Sequence, residues 1–267
     1  MIGGPVPVKQ PDFPSSTPLK PRLRALIIGA SSGMGAALAK KLACKGYDLA
    51  LVARREELLT SLCDEINQNA DWGRACYYVH NVNDYLTVPA LLRRIVSDLG
   101  GLDSVIYAAG VNFAPLMDEY NTENDRQMIE INLIGAFAWL NSIAEMFQSA
   151  KAGQIVGISS VAGERGRVGN PGYNASKAGL TSYLESLRNR LTRHGVNVLT
   201  VKAGFVQTDM LKAAQKVMFP ITAERAAHDI WKAMQARRQE IYTPWFWRWI
   251  MFIIRSIPSI LFRRMSL

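Results

Sequence analysis

Short apolar runs alternate with amphipathic stretches along most of the chain, beginning near residue 24. An unbroken aliphatic run is typical of a strand buried on both faces of a parallel sheet, whereas apolar residues spaced three and four apart are typical of a helix packed on that sheet. The pattern predicts strands at Leu23–Ile28, Asp48–Ala53, Ala75–Val79, Ser104–Tyr107, Gln154–Ile158, Val196–Val201 and Glu240–Thr243. It predicts helices at Gly33–Lys45, Glu56–Asn69, Leu86–Leu99, Glu123–Gln148, Tyr173–His194 and Thr222–Arg237.

This order of elements predicts an α/β fold, a Rossmann-like doubly wound parallel sheet of about seven strands with helices on both faces. Ligands of such sheets bind at the carboxyl ends of the strands. We expect one domain over residues 24–244, after an irregular proline-rich leader over residues 1–23 that lacks the apolar run of a secretory signal. A hydrophobic and basic tail follows over residues 245–267.

The net charge of +9 is concentrated at the two ends of the chain. Residues 1–24 carry four basic residues against one acidic residue, and residues 231–267 carry seven against one, so the segment between them is formally neutral. A nucleic-acid-binding domain spreads basic residues over its body, so we expect no nucleic-acid partner and favour an anionic surface met by the ends. Three cysteines, none at metal-ligand spacing, predict reduced thiols in a cytoplasmic protein without a metal site.

A glycine-rich loop follows the first predicted strand and opens the first predicted helix. Gly29 permits a tight turn, and Gly33 and Gly35, on either side of Met34, allow the backbone to approach a phosphate closely. The helix N-terminus offers free N–H groups to a pyrophosphate, and Ser31 and Ser32 add hydroxyl donors. This context indicates a dinucleotide site, although an ordinary Gly/Ser-rich turn is the alternative.

The end of the second predicted strand indicates which dinucleotide binds. An acidic residue there favours NAD, but the chain has Ala53, Arg54 and Arg55. Because a guanidinium can pair with a 2′-phosphate through two parallel hydrogen bonds, we expect Arg54 to select NADP(H). The alternative is that both arginines are solvated residues at the start of a helix.

A candidate proton-transfer group comprises Ser160, Tyr173 and Lys177, with Asn132 in the long predicted helix. Tyr173 and Lys177 share a helix face, and a nearby ammonium lowers the pKa of a phenol toward neutrality. Ser160, just past the fifth predicted strand, can donate to a substrate oxygen, and Asn132 can bond a water linked to Lys177 and so relay protons to solvent. Each residue alone has an ordinary structural explanation: a chance spacing, a turn serine or a satisfied buried amide.

Together these motifs resemble the short-chain dehydrogenase/reductase family over roughly residues 24–243, including Ile158-Ser159-Ser160, Tyr173-Asn174-Ala175-Ser176-Lys177 and Gly204-Phe205-Val206-Gln207-Thr208. The resemblance implies Tyr173 as acid/base, Lys177 on the nicotinamide ribose, Ser160 on the carbonyl and Thr208 on the carboxamide. It further implies cofactor contacts at Asn81, Val82, Ala109, Gly110, Gly204 and Val206, and a homodimer or homotetramer built through the long helices. The chain departs from the family pattern at Ile28, Asn81, Tyr107, Ala108 and Ala203.

The tail is rich in aromatic and aliphatic residues between Trp245 and Phe262, interrupted by Arg248, Arg255 and Pro258. It is too short and too interrupted to span a bilayer, but it suits a helix lying in a membrane interface on the cytoplasmic side. The alternative is that the tail packs on the domain as a lid or at a subunit interface. Residues 209–221 form an expected apolar cover over the substrate site, which favours a hydrophobic, lipid-like substrate.

The combination predicts an NADPH-dependent carbonyl reductase, or an alcohol dehydrogenase in the reverse direction, acting on a hydrophobic ketone or secondary alcohol. A hydride-carrying cofactor beside a proton-carrying side chain is the chemistry of this interconversion. A cofactor-binding regulatory or scaffold protein without turnover is the alternative.

Overall fold

A computed structural model of the chain describes residues 23–69, 71–113, 115–213 and 217–265. The predicted leader, apart from its last residue, and residues 266–267 of the tail lie outside these described residues. So do residues 214–216 of the expected cover. The fold therefore begins at the first predicted strand.

Within the described residues, seven strands form one parallel sheet in the order β3-β2-β1-β4-β5-β6-β9. These strands are β1 Arg24–Ile28, β2 Asp48–Ala53, β3 Ala75–Val79, β4 Ser104–Tyr107, β5 Gln154–Ser160, β6 Asn197–Ala203 and β9 Glu240–Thr243. A small second sheet pairs β7 Val206–Gln207 with β8 Ile221–Thr222. The order reverses between β1 and β4, which confirms the predicted doubly wound fold.

Helices cover both faces of the sheet, and each face has its own apolar core. Their bounds are α1 Gly33–Ala43, α2 Glu56–Asn67, α3 Val88–Leu99, α4 Thr122–Ile129, α5 Gly135–Ala150, α6 Pro171–Leu191 and α7 Ala223–Gln235. The helices α1, α2 and α7 pack on one face, and α3, α5 and α6 pack on the other. The central strands are buried on both sides, because their residues are aliphatic without alternation.

Three predicted bounds are wrong in ways that affect the site. The fifth strand continues through Ser160, so this serine is the last strand residue and not a residue beyond the strand. The predicted long helix is interrupted at Glu130–Ile134 by a π-helical turn, which contains Asn132. The helix that carries Tyr173 begins at Pro171, because proline suits a first turn in which its missing N–H has no partner to lose.

The tail forms two helices, α8 Trp247–Ser256 and α9 Ser259–Phe262. Trp247 and Met251 are buried against Val161, whereas Trp249 and Phe252 on the same helix are more than half exposed. One face of α8 therefore packs on the domain, as the second alternative predicted, and the other face stays apolar and open. Among the described residues, no helix has the length and hydrophobicity that crossing a membrane requires.

Candidate active site

The glycine loop lies at the carboxyl edge of β1, and its close contacts explain its composition. Gly29 has a φ of 91°, and a Cβ added there would lie 2.4 Å from the backbone nitrogen of Ala109. A Cβ on Gly35 would lie 2.1 Å from the carbonyl oxygen of Gly29. These distances leave no room for a side chain, so the loop can form only with glycine at both positions. The loop thereby brings Ala109, at the end of β4, next to the N-terminus of α1.

The loop also meets the segment that follows β6. A Cβ on Gly33 would lie 3.0 Å from Cγ2 of Thr208, and Gly33 has a φ of 56°. Val206 is buried in β7, where it pairs with Ile221. An open cavity here is lined by Gly33 and Thr208 together with Leu211 and Val217 of the expected cover. The predicted pyrophosphate and nicotinamide segments therefore face each other across one cavity.

Arg55, and not Arg54, contacts the glycine loop. Its guanidinium donates to Oγ of Ser31 at 2.9 and 3.2 Å and to Oγ of Ser32 at 2.6 Å. Arg54 is exposed to solvent. The assignment of the 2′-phosphate to Arg54 stays a prediction, but the geometry adds Arg55 as the arginine that lies beside two hydroxyl donors. Because Arg54 and Arg55 are adjacent residues of the same type, the sequence could not show which of them contacts the glycine loop.

The N-terminus of α1 fits a dinucleotide phosphate. Ser32 occupies the N-cap position without using its side chain to cap the first turn, so the first N–H groups of the helix are left for a ligand. The partial positive charge of the helix end and the guanidinium of Arg55 both favour an anion. The side chain of Met34 packs on the core, so its role toward a phosphate, through the backbone, stays a prediction.

The proton-transfer group gathers where β5 ends and α6 begins. Ser160 Oγ accepts a hydrogen bond from the amide of Ala162 at 3.1 Å and donates to the carbonyl of Ala203 at 3.2 Å. Asn170 caps α6 by accepting from the amide of Tyr173 at 3.1 Å. The strand end and the capped helix start thus bring Ser160 near the Tyr173 phenol, and the serine hydroxyl opposes the rise in the pKa of that phenol.

Lys177 is buried one turn further along α6, with 4% of its surface exposed. Its Nζ donates to the carbonyl of Ile158 at 2.9 Å and lies 5.9 Å from the centre of the Tyr173 ring. Burial alone accounts for the low pKa of this ammonium, which is about 8. The side chain therefore keeps its charge at neutral pH with little margin.

The expectation that Lys177 brings the pKa of Tyr173 down toward neutrality is not met in this arrangement. Burial raises the pKa of the Tyr173 phenol, and the groups that oppose this effect are the Ser160 hydroxyl and the charge of Arg167. The ammonium of Lys177 is instead directed at the Ile158 carbonyl. Arg167, in the loop before α6, was not identified from the sequence, because no motif marks a cation in that loop. At neutral pH the phenol keeps its proton.

Asn132 lies in the π-helical turn and is fully buried. Its Nδ2 donates to the carbonyl of Val111 at 3.0 Å and to Oγ of Ser176 at 2.9 Å, and its Oδ1 accepts from the amide of Val111 at 2.7 Å. Both amide hydrogens are used, so a water relay of the predicted kind could use only Oδ1. A Cβ on Gly110 would lie 3.1 Å from Oδ1 and 3.5 Å from Nζ of Lys177. Gly110 thus links the end of β4 to this group.

The remaining predicted cofactor positions lie at the same edge of the sheet. Asn81 follows β3, and its Oδ1 accepts from the amide of Asn83 at 3.3 Å, which fixes a turn. Val82 is buried next to Gly135. Gly204 follows β6, where a Cβ would lie 2.2 Å from the indole nitrogen of Trp247. These contacts explain Gly204 by its packing against the tail, and they leave its role toward a cofactor a prediction.

The sequence comparisons agree with this geometry. The family model described as short chain dehydrogenase matches residues 24–218. A Mycobacterium tuberculosis protein described as an uncharacterized oxidoreductase is 31% identical over 248 residues, which is 92% of this chain and 98% of that protein. The 3-oxoacyl-[acyl-carrier-protein] reductase of Escherichia coli is 31% identical over 189 residues, 71% of this chain and 75% of the relative. The chain belongs to the short-chain dehydrogenase/reductase family, whose members are oxidoreductases.

Solved structures show the same fold. Actinorhodin polyketide ketoreductase, crystallised with NADPH, matches with a TM-score of 0.75 at 24% identity, covering 83% of this chain and 95% of its own. Levodione reductase matches with a TM-score of 0.74 at 22% identity, covering 82% of this chain and 95% of its own. Because both identities are below 25%, these two matches support the same fold and do not by themselves assign an activity.

Proposed function

We propose that the protein is an NADPH-dependent carbonyl reductase that acts on a hydrophobic ketone, with Tyr173 as the proton donor. The observation that carries the proposal is the group of buried Ser160 and Lys177 with half-buried Tyr173, at the sheet edge where the glycine loop lies. Burial raises the pKa of Tyr173, so the phenol is protonated at neutral pH. A protonated phenol suits reduction, in which the carbonyl oxygen must gain a proton.

Each group of residues at the site has its own role in this reduction. The N-terminus of α1 and the segment around Thr208 would hold a nicotinamide cofactor, which would supply the hydride to the carbonyl carbon. The hydroxyls of Ser160 and Tyr173 hold the substrate carbonyl oxygen, and stabilise the negative charge that develops on it. Tyr173 then transfers its proton to that oxygen. The Lys177 ammonium, which lies near the phenol and keeps its charge below pH of about 8, favours the phenolate left behind.

The preference for NADPH is supported by the position of Arg55 against Ser31 and Ser32. These three side chains form a cationic, hydroxyl-lined corner at the glycine loop, which suits a 2′-phosphate. The solved ketoreductase with the same fold holds NADPH. Arg54, one residue earlier and exposed, can add a second charge.

Arg55→Glu should reverse the cofactor preference. Because the substitution places a carboxylate beside the expected 2′-phosphate, we expect kcat/KM with NADPH to fall by about ten- to a hundredfold, the effect of losing charge-assisted hydrogen bonds. The value with NADH should change little. Initial rates with both cofactors measure the ratio, and Arg54→Glu is the matched comparison. If Arg54→Glu alone removes the preference, the phosphate binds at Arg54 and the role given to Arg55 is wrong.

A hydrophobic substrate is supported by the side chains of the expected cover. Leu211 and Val217 line the cavity beside Thr208, and Met218 and Phe219 follow. The Escherichia coli relative is named for reduction of a 3-oxoacyl group, and the polyketide ketoreductase for reduction of a ketone. A ketone on a long apolar chain has the same reacting group and the same apolar character.

A carbonyl panel tests the proposed function directly. The purified protein is incubated with NADPH and ketones of increasing chain length, and the alcohol is identified by mass spectrometry. We expect turnover to rise with chain length. Binding of NADPH without an alcohol product from any ketone would favour the alternative, a cofactor-binding regulatory protein.

We further propose that the enzyme binds peripherally to the cytoplasmic face of a membrane through its tail, and that it assembles as a homodimer or homotetramer. Membrane contact is supported by the open apolar face of α8 and by the arginines beside it. Assembly through the long helices is supported by family membership alone. The two interfaces would use different surfaces, so one does not exclude the other.

A further inference from the structure

Two of the exposed apolar segments among the described residues belong to one surface. The first is the end of the expected cover, Val217–Phe219, whose three side chains are 43–60% exposed. The second is the outer side of the tail, where six large side chains are 55–68% exposed: Trp245, Trp249, Phe252, Ile253, Ile260 and Leu261. We call the two together the apolar surface. Soluble monomers rarely expose so many large apolar side chains in one place.

The two segments meet at Phe246. The ring of Phe219 packs edge-on against the ring of Phe246 at 5.7 Å, and Phe246 lies 6.2 Å from the ring of Trp245. The cover also borders the cavity beside Thr208 through Val217. An apolar path therefore leads from the outer side of the tail to the cavity beside Thr208.

The tail is firmly held with this face outward. Trp247 and Met251 are buried below it, and Arg165 reaches from the loop after Ser160 to donate to the carbonyl of Arg255 at 3.2 Å. The same guanidinium lies 3.8 Å from the ring centre of Phe262. Because these contacts use the inner face of α8 and α9, the outer face cannot turn inward without breaking them.

Charge indicates what covers the apolar surface. Residues 241–267 contain no acidic residue, and they include Arg248, Arg263 and Arg264, with Arg255 paired to Glu164 of the domain. In a symmetric dimer through this surface, the arginines of one copy would meet those of the other, and like charges oppose association. Anionic headgroups pair favourably with arginine while the apolar side chains enter the acyl boundary. The arrangement therefore fits an anionic lipid surface better than a second copy of the chain.

We propose that the apolar surface docks on an anionic bilayer in an orientation that opens the cavity beside Thr208 toward the lipid, so that a ketone dissolved in the membrane enters without crossing water. The inference rests on the proposed carbonyl reductase activity and adds the source of the substrate. It predicts that docking and use of a membrane-borne ketone are lost together, whereas reduction of a water-soluble ketone is not affected.

Vesicle co-sedimentation tests the docking. The probes are phosphatidylcholine vesicles with and without phosphatidylglycerol, and the variants are Phe252→Ser and Trp249→Ser/Phe252→Ser. Leu86→Ser is the matched control, because Leu86 is 97% exposed and follows β3, at the opposite edge of the sheet from β9 and the tail. We expect anionic vesicles to bind the native protein at least about tenfold more strongly than neutral ones, and the double variant to lose about tenfold in partitioning. Equal partitioning of the native protein and the double variant would overturn the proposal.

Kinetics test the orientation. The native protein and the double variant reduce methyl undecyl ketone carried in the anionic vesicles, and diacetyl in solution without vesicles. We expect the variant to show a KM at least about tenfold higher for the vesicle-borne ketone, and unchanged kcat and KM for diacetyl. If the variant detaches from vesicles but reduces both ketones like the native protein, the cavity does not open to the lipid. Failure of the native protein to reduce either ketone would instead contradict the proposed function.

Sedimentation equilibrium without lipid tests whether a second copy of the chain, and not a membrane, covers the apolar surface. We expect the native protein and the double variant to have the same oligomeric state. If the double variant dissociates and vesicle binding is unchanged, the apolar surface is a subunit interface and the proposal is wrong.

Discussion

Tyr173→Phe should abolish ketone reduction while leaving the protein folded and able to bind NADPH. The substitution removes one oxygen, and with it the proton that the mechanism delivers to the substrate. Removal of a positioned general acid lowers the rate by about a hundred- to ten-thousandfold, and we expect a loss near the middle of that range. NADPH affinity should change little, because the glycine loop and Arg55 are untouched. Single-turnover rates and NADPH fluorescence titration measure the two quantities.

The chain offers a matched control on the same helix. The hydroxyl of Tyr183 donates to Oδ1 of Asn141 at 2.8 Å, between α6 and α5 and away from the sheet edge that carries the site. Tyr183→Phe removes the same oxygen from the same helix, so we expect turnover close to that of the native protein. A Tyr173→Phe variant that reduces the substrate at the native rate would show that the proton comes from elsewhere.

The sequence was sufficient for the fold because the strand signal is local. An aliphatic run such as Asp48–Ala53 has the same bounds in the structure as in the prediction, since a strand buried on both faces has no polar alternation to obscure its ends. Parallel pairing then brings the ends of β1, β4, β5 and β6 to one edge. The glycine loop, Gly110, Ser160 and Thr208 follow from that topology alone.

The contacts within the site depend on side-chain directions that spacing does not fix. Arg54 and Arg55 are equivalent in the sequence, and only the course of the backbone after β2 brings Arg55 to Ser31. The spacing of Tyr173 and Lys177 places them on one helix face, but the ammonium donates to the carbonyl of Ile158 in β5, 19 residues earlier. The effect of burial on the phenol likewise depends on elements that only the tertiary structure brings together.

In the tail, too, the direction of the side chains could not be predicted from the sequence. Its composition supported two interpretations, a membrane-facing helix and a helix packed on the domain. In the structure one face of α8 packs on the domain and the opposite face is apolar and exposed. Trp247 is buried while Trp249, two residues later, is exposed, because a helix turns through roughly 200° over two residues. Composition counts both tryptophans alike, so it could not assign them to opposite faces.

Lys177→Met should inactivate the enzyme and at the same time stabilise it. Burial lowers the pKa of Lys177 from 10.5 to about 8, so at neutral pH the folded protein holds a charge that is better solvated in the unfolded chain. By the linkage of pKa to stability this costs about 3 kcal/mol, and methionine removes the cost while leaving the Ile158 carbonyl without its donor, a loss of about 1 kcal/mol. We therefore expect the free energy of unfolding without cofactor to rise by about 1–3 kcal/mol at pH 7. Turnover should fall steeply, because the charge beside the phenol is lost.

The pH dependence of this gain separates it from a simple packing effect. The folded pKa lies below the unfolded one, so the penalty of the native lysine is complete below pH of about 8 and vanishes as the pH rises toward 10.5. Urea unfolding of both proteins between pH 7 and pH of about 10 should show the gain shrinking over that window. Lys232→Met, at an exposed lysine of α7, should show no such trend. A gain that is constant with pH would mean that Lys177 does not carry a destabilising buried charge. Its proposed role as the cation of the site would then have no physical basis.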